Sequence, residues 1–137
     1  MIVELDKNNS SLLEKSFLST ETVEKELASN PYAKYLLLIE KDKVIGYLYY
    51  SDIYERAEIN QFEILEEYRN QGKGNLLLQE FLKRINKDVT LEVKKDNTSA
   101  IHVYQKNGFV ETAIRKGYYQ GIDGILMEKK NEKGSLK

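Results

Sequence analysis

Between positions 68 and 74 the chain reads Tyr68-Arg69-Asn70-Gln71-Gly72-Lys73-Gly74, a polar segment with two glycines. It follows a strand-like run over 55–65 and precedes an amphipathic helix predicted from about Gly74 to Asn86. Glycines let a ligand approach the backbone closely, and the free N–H groups at a helix N-terminus attract anions. The position therefore suits a phosphate or pyrophosphate, although a simple strand-to-helix turn explains the spacing equally well.

Two familiar phosphate-binding motifs do not fit this loop. A P-loop requires Ser or Thr directly after its Lys, whereas Lys73 is followed by Gly74. A dinucleotide-binding fingerprint requires a third glycine at the position that Leu77 occupies. Spacing alone therefore leaves two interpretations open, an anion-binding loop and a plain turn.

Helical and strand-like patterns alternate along the rest of the chain. Upstream of the loop, they predict a strand over 1–5, a weak short helix over 10–17, a helix with Thr20 as its N-cap that ends before Pro31, and an antiparallel hairpin formed by 35–40 and 44–50. Downstream, they predict a strand over 89–93, a helix over 97–106, and strands over 109–115 and 122–128. This order is typical of one mixed α/β (α+β) domain, which we assign to residues 1–130, with a frayed tail over 131–137.

Composition excludes several classes of protein. Of the 137 residues 41% are apolar, enough for one core, and 21 basic against 22 acidic residues give a net charge of −1. A charge so close to zero provides no general attraction to nucleic acid or to an anionic membrane. Because the chain has no cysteine and a single histidine, His102, we expect no disulfide, no cysteine nucleophile, no thiolate metal site and no His-rich metal cluster.

The N-terminus and the apolar runs bear on location. Residues 1–6 lack the basic region and the long apolar stretch of a signal peptide. The longest apolar run, 35–39, is far too short to span a membrane. We therefore expect a cytoplasmic protein with no membrane or nucleic-acid partner, and the pattern is compatible with a monomer or a homodimer.

The loop and the segments after it together resemble one known superfamily. Residues 68–74 resemble the Arg/Gln-x-x-Gly-x-Gly/Ala motif of the GCN5-related N-acetyltransferase (GNAT) superfamily, which holds the pyrophosphate of acetyl-CoA. The match continues, in order and spacing, from about Ile59 to Met127, through Leu91-Glu92-Val93, Asn97, Ala100-Ile101, Tyr104 and Asn107-Gly108-Phe109. The resemblance implies a single-domain fold with a mixed, mostly antiparallel central sheet, flanking helices and a V-shaped splay between two parallel strands that end at Leu65 and Val93.

The resemblance also implies acetyl-CoA as co-substrate, with no metal, lying in the V with its acetyl carbonyl bonded to the backbone near Ile64. The contacts of acetyl-CoA are expected at the end of one strand, on the glycine loop and on the helix predicted over 97–106. These residues are Phe62, Glu63, Ile64, Arg69, Asn70, Gln71, Gly72, Lys73, Gly74, Asn75, Asn97 and Tyr104.

Within the superfamily, the C-terminal part resembles the ribosomal-protein alanine N-acetyltransferase branch and other N-terminal acetyltransferases. The residues that carry this resemblance are 112–119, Asp123-Gly124 and Leu126-Met127. It implies that Tyr118, Tyr119 and Asp123 border the amine acceptor, and that this acceptor is the N-terminal α-amine of a protein or peptide. The two tyrosines are also explained as ordinary aromatics at a strand end.

The acceptor stays open at this level, because Glu63 stands where that branch tends to carry a small residue and because 121–124 is compressed. Alternatives are a polyamine, an antibiotic or a lysine side chain. An alternative of another class is a non-catalytic acetyl-CoA-binding module that senses the cofactor or regulates a partner. Intact Glu92 and Tyr104 favour catalysis over that alternative.

Two glutamates are candidates for the general base. Glu92 shares a strand face with Thr90, and a carboxylate on a central strand, which is usually covered on both faces, calls for an explanation. The resemblance points to Glu92, because the matching Glu is the base in the alanine acetyltransferase branch. Glu58 is the rival, since other branches place a base early on the preceding strand. A solvent-facing strand position explains either residue without chemistry.

Tyr104 is the candidate general acid. It lies seven residues after Asn97, nearly two helical turns, so both residues project from one helix face. In the superfamily the matching tyrosine protonates the departing thiolate, and the residue matching Asn97 contacts the pantetheine arm. A core tyrosine on an amphipathic helix is the competing interpretation. His102 points to another face of this helix, and we interpret it as a surface or packing residue.

Overall fold

The computed structural model describes residues 1–131, apart from the side chain of Lys15. Three α-helices and seven strands form this part of the chain, and none of its helices is long and apolar enough to cross a membrane. The strands are β1 (Ile2–Glu4), β2 (Ala33–Glu40), β3 (Lys43–Ile53), β4 (Arg56–Ile64), β5 (Asp88–Lys94), β6 (Val110–Tyr119) and β7 (Ile122–Lys129). The helices are α1 (Thr20–Ser29), α2 (Lys73–Ile85) and α3 (Thr98–Lys106), with short 3₁₀ helices at Ser10–Lys15 and Glu66–Tyr68.

The strands form one mixed sheet in the order β1-β2-β3-β4-β5-β7-β6. Each neighbouring pair is antiparallel except β4 and β5, which are parallel. The parallel ladder joins only Arg56–Ile59 to Asp88–Leu91, although β4 continues to Ile64 and β5 to Lys94. The two strands therefore separate toward their carboxyl ends, which confirms the predicted fold with its V-shaped splay.

A β-bulge in β4 accompanies this separation. The register between β3 and β4 shifts between Tyr49 and Tyr50, which leaves Asn60 as the extra residue of β4. The Asn60 carboxamide donates a hydrogen bond to Ser51 Oγ at 2.8 Å, and this bond fixes the bulge to β3. Because a bulge bends its strand and increases the local twist, the end of β4 turns away from β5.

Helices cover both faces of the sheet, but not equally. The apolar stripe of α2, formed by Leu77, Leu78, Phe81 and Ile85, packs together with α3 on one face. On the other face, a smaller core cluster links α1 and the first 3₁₀ helix to β2 and β3. On β6, at the outer edge of the sheet, every residue but Tyr119 is exposed.

Local structure differs from the predicted boundaries in three places. The N-cap of α1 is Ser19, not Thr20, since Ser19 Oγ accepts a hydrogen bond from the Thr22 amide at 3.2 Å. The helix after the glycine loop starts at Lys73, one residue earlier than predicted. Strand β6 runs to Tyr119 instead of Arg115, because its pairing with β7 resumes after a register shift.

The end of β7 is followed by an anchored residue. The Asn131 amide donates to Asp88 Oδ1 at 2.7 Å, and its side chain donates to the carbonyl of Asn86 at 2.8 Å. Asn131 therefore holds the backbone that follows β7 against the start of β5. The rest of the predicted tail, 132–137, lies outside the described residues.

Candidate active site

A cavity of about 540 Å³ opens where β4 and β5 separate. It is lined by residues of β3, β4, β5 and β6 and by residues at and after the start of α3. The fold brings six of the predicted site residues together at its walls. They are Phe62, Glu63, Glu92, Asn97, Tyr104 and Tyr119.

A second cavity, of about 360 Å³, includes side chains from the face of β5 that points away from α2 and α3. Glu58, Thr90 and Arg115 are among its lining residues. Four residues border both cavities, namely Ile59, Asn60, Glu92 and Tyr119. The Glu92 side chain therefore stands at the junction of the two cavities, one on each side of the gap in the sheet.

The two oxygens of Glu92 have different surroundings. Oε1 lies 3.3 Å from Nε of Arg115, in an ion pair whose Glu92 side chain is only 19% exposed. Oε2 is buried and accepts no hydrogen bond of normal geometry from residues 1–131. The nearby Tyr119 phenol interacts with the Glu92 carboxylate, and a buried carboxylate oxygen without a well-formed hydrogen bond costs free energy in a folded protein.

Gly124 makes room for this carboxylate. A Cβ at position 124 would collide with Oε2 of Glu92 and would lie 2.9 Å from Cε2 of Tyr119. The φ of Gly124 is not positive, so its backbone does not require glycine. The space that Glu92 and Tyr119 occupy is therefore what excludes a larger side chain at this position.

Glu58 has a more exposed environment. Its side chain is 45% exposed and lies 3.5 Å from the guanidinium of Arg56. In the parallel ladder Glu58 is aligned with Thr90, so it shares the sheet face of Glu92 but lies about 7 Å from it along the strand direction. Both candidate bases thus border the second cavity, and only Glu92 also borders the first.

Tyr104 approaches the gap from the side of α3. The residue is 5% exposed, and its ring packs against Phe62 and Phe109 at centroid distances of 5.9 and 5.5 Å. Burial raises the pKa of Tyr104, so its phenol stays protonated throughout the physiological pH range. At the start of the same helix, Asn97 Oδ1 accepts the Ala100 amide at 3.3 Å.

The glycine loop adjoins the first cavity. Gly72 is the N-cap of α2 with φ +77°, and its carbonyl accepts the Leu76 amide at 3.0 Å. Helix geometry leaves the amides of the three residues between them without an intrahelical acceptor. A Cβ on Gly74 would lie 3.5 Å from Cζ of Phe62, which places this helix start beside the cavity wall.

Several side chains of the loop contact the protein itself. Arg69 Nε donates to the carbonyl of Ile64 at 2.8 Å, and Gln71 Nε2 donates to the carbonyl of Glu67 at 3.1 Å. Lys73 Nζ lies 2.6 Å from Glu40. Asn75 Oδ1 accepts from Asn107 Nδ2 at 2.8 Å, which joins α2 to the end of α3. Backbone amides, more than these side chains, are therefore available to an anion.

The three predicted acceptor residues lie in different positions. Tyr119 borders both cavities, and burial together with the Glu92 carboxylate raises the pKa of its phenol. Tyr118 is 57% exposed and stacks under the Arg115 guanidinium at 4.5 Å from the ring centroid. Asp123 accepts the Gly117 amide at 2.9 Å, and this bond lowers the pKa of its carboxyl group. Tyr118 and Asp123 line neither cavity.

Several residues at the site were not predicted from the sequence, and three of them matter most for its geometry. Arg115, Gly124 and Asn60 acquire their positions only through the strand order and the bulge. His102, in contrast, is exposed on α3 and distant from the cavity lining, in agreement with its interpretation as a surface residue. Within residues 1–131 no three His, Asp or Glu side chains are grouped as metal ligands.

Comparison with known proteins gives one consistent family. Residues 5–109 match the family described as the acetyltransferase (GNAT) family. The ribosomal protein bS18-alanine N-acetyltransferase of Escherichia coli strain K12 is 31% identical over 107 residues, which are 74% of this chain and 72% of that relative.

Solved structures show the same fold. The crystal structure of the ribosomal-protein-S18-alanine N-acetyltransferase from Escherichia coli matches with a TM-score of 0.80 at 22% identity, over 96% of this chain and 93% of that chain. A GNAT family acetyltransferase from Elizabethkingia anophelis with acetyl-CoA bound matches with a TM-score of 0.73 at 24% identity, over 95% and 97%. At these identities the structural matches support the fold alone.

Proposed function

Since the chain belongs to the GNAT family of acetyltransferases and is an N-acetyltransferase, we propose that its acceptor is the N-terminal α-amine of a protein. The Escherichia coli relative, which is named for alanine acetylation of a ribosomal protein, supports this choice. Acetyl-CoA, the acetyl donor of the family, would supply the thioester, and the amine would attack it directly. The resemblance of residues 112–119, Asp123-Gly124 and Leu126-Met127 to the N-terminal acetyltransferases points to the same class of acceptor.

One observation carries the proposal, the position of the Glu92 carboxylate at the junction of two cavities, with an Oε2 that accepts no hydrogen bond of normal geometry within residues 1–131. An acceptor amine in the second cavity can donate a hydrogen bond to this oxygen. A thioester in the first cavity then lies on the other side of the gap. Glu92 is accordingly our general base, which takes the proton that the amine loses on acetylation.

The residues around the first cavity fit the donor. The backbone amides at the start of α2 would hold the pyrophosphate, and Asn97 would contact the pantetheine arm. The phenol of Tyr104, kept protonated by its burial, would give its proton to the leaving thiolate. These roles use no metal and no covalent acetyl-enzyme.

The chemistry of the acceptor favours an α-amine. A free α-amine has a pKa of about 8, whereas a lysine side chain has a pKa of about 10.4. Near neutral pH the α-amine is therefore the uncharged nucleophile about 10²-fold more often. A single carboxylate base suffices for such an amine, and this matches a site in which Glu92 is the one carboxylate that lines both cavities.

The test compares two peptides of the same sequence, one with a free N-terminus and one with a blocked N-terminus that keeps an internal lysine. Mass spectrometry after incubation with acetyl-CoA distinguishes α- from ε-acetylation. We expect acetylation of the free N-terminus and little reaction of the blocked peptide. Equal rates for both peptides, or faster acetylation of spermidine than of either, would contradict the proposed acceptor while leaving the acetyltransferase activity in place.

A further inference from the structure

Arg115 reaches Glu92 from a strand that is not its neighbour. Glu92 lies on β5 and Arg115 on β6, and β7 stands between them in the sheet. Two strand spacings separate their backbones by about 10 Å. The ion pair between Nε and Oε1 nevertheless closes to 3.3 Å, because the side chains meet above the intervening strand.

The ion pair between Arg115 and Glu92 across β7 depends on Gly124. In the register of β7, Gly124 pairs with Arg115 on one side and with Lys94 on the other. Since a Cβ at this position would collide with Glu92 Oε2, a residue with a side chain would block the space where the carboxylate rests. Gly124 thus leaves open the surface over which the pair forms.

Tyr118 holds the other side of the guanidinium. The Arg115 Cζ lies 4.5 Å from the centroid of the Tyr118 ring, and that ring contacts Tyr119 at 4.9 Å in an edge arrangement. Stacking and the ion pair together restrict a side chain that is otherwise half exposed. The guanidinium is therefore presented to one carboxylate oxygen and leaves the second oxygen to a ligand.

We propose that Arg115 is a positioning residue for acetyl transfer, which binds Oε1 of Glu92 so that Oε2 faces the acceptor amine. This inference rests on the proposed function, in which Glu92 is the base. Arg115 does not touch the reacting atoms in this scheme. Its contribution is the orientation of a carboxylate that also interacts with the Tyr119 phenol and whose Oε2 accepts no hydrogen bond of normal geometry in the described chain.

The test is a double-mutant cycle with Arg115→Gln, Glu92→Gln and the double variant, assayed with a free N-terminal peptide. We expect Arg115→Gln to lower kcat about tenfold with little change in the affinity for acetyl-CoA. In the Glu92→Gln background the same substitution should lower kcat no further, because no carboxylate is left to orient. Arg115→Lys should recover part of kcat, since an ammonium can pair with Glu92 without reproducing the planar stack on Tyr118.

Lys116→Gln is the matched control, because it removes one positive charge at the next position, where the side chain is 86% exposed and lies 3.8 Å from Asp123. It should leave kcat unchanged. Thermal unfolding of each variant separates a lost orientation from a lost fold, and Arg115→Lys serves if Arg115→Gln does not fold.

Four results would overturn the inference. One is an equal loss of kcat from Arg115→Gln in the wild-type protein and in the Glu92→Gln variant, which would mean that Arg115 does not act through Glu92. Another is a rise in kcat, which would mean that the guanidinium competes with the acceptor. A third is a Glu92→Gln variant with full kcat, which would also remove the proposed base. A strongly impaired Glu92→Gln with an unimpaired Arg115→Gln contradicts the positioning role alone.

Discussion

Two side chains approach the gap between β4 and β5 from opposite faces of the sheet. Glu92 belongs to the face that carries Thr90 and Arg115, whereas Tyr104 comes from α3 and is part of the larger core cluster. A base and an acid on opposite sides of one gap can serve the two proton transfers of acetyl transfer, one from the amine and one to the thiolate.

Replacing each glutamate by glutamine separates the two candidate bases. Glu92→Gln should lower kcat by about 10²-fold or more, the usual contribution of a general base. Glu58→Gln should lower kcat less, because Glu58 is exposed, contacts Arg56 and borders only the second cavity. Steady-state kinetics over a range of pH is the measurement. A profile that loses its acidic limb only in the Glu58 variant would assign the base to Glu58.

Among the elements, α2 begins at the glycine loop, beside the Phe62 wall of the first cavity. Gly72 has φ +77°, so any other residue there adds backbone strain. Gly74 has ordinary backbone angles, and an added Cβ would make only van der Waals contacts with Phe62 and Ile64. Position 74 is therefore the better place to test anion binding without a large effect on stability.

Gly74→Leu should abolish acetyl-CoA binding in a calorimetric titration, because a bulky side chain keeps a pyrophosphate from the amides of the helix start. Gly74→Ala at the same position is the control, since it fits the surroundings and should retain most of the binding. Thermal unfolding should show similar midpoints for both variants. Unchanged affinity in the leucine variant would refute the pyrophosphate assignment.

The periodic elements were predictable from the sequence and their lateral contacts were not. The spacing of Leu77, Leu78 and Phe81 identifies α2, since helical periodicity is a local property of the chain. The contact between Glu92 and Arg115 depends on the insertion of β7 beside β5, a pairing that no local pattern encodes. The bulge at Asn60 could not be predicted from the sequence either, because a register shift is defined only relative to the partner strand.

At the scale of the whole molecule, an ionic cluster ties the strands together at the end of the sheet opposite the gap. Asp52, at the end of β3, forms ion pairs with Lys34 of β2 and with Lys87, which precedes β5. Burial alone would raise the pKa of Asp52, but the hydrogen bonds and charges of Lys87 and Lys34 outweigh it and hold the pKa below its ordinary value. The carboxylate is thus stabilised in its ionised form by folding.

This lowered pKa has a defined consequence for acid stability. The stabilisation is fully present above the unfolded-state pKa of an aspartate, about 3.9, and is lost as the pH falls through the lower folded-state value. Asp52→Asn should therefore lower the unfolding midpoint at pH 7 and reduce its dependence on pH below about 5. Thermal scans from pH 7 to pH 3 measure this, with the exposed Asp96→Asn as control. Equal midpoints for wild type and Asp52→Asn at pH 7 would contradict the assignment.

The short parallel ladder between β4 and β5 also divides the sheet into two halves. Strands β1 to β4 form one half of the sheet and β5 to β7 the other, and the ladder between β4 and β5 that joins the two halves has only four residue pairs. A ligand in the gap contacts both halves, so its binding free energy adds to the cohesion of the sheet. With acetyl-CoA in the gap, as we propose, both halves of the sheet are stabilised together, and the free energy of unfolding should rise with the concentration of acetyl-CoA by mass action.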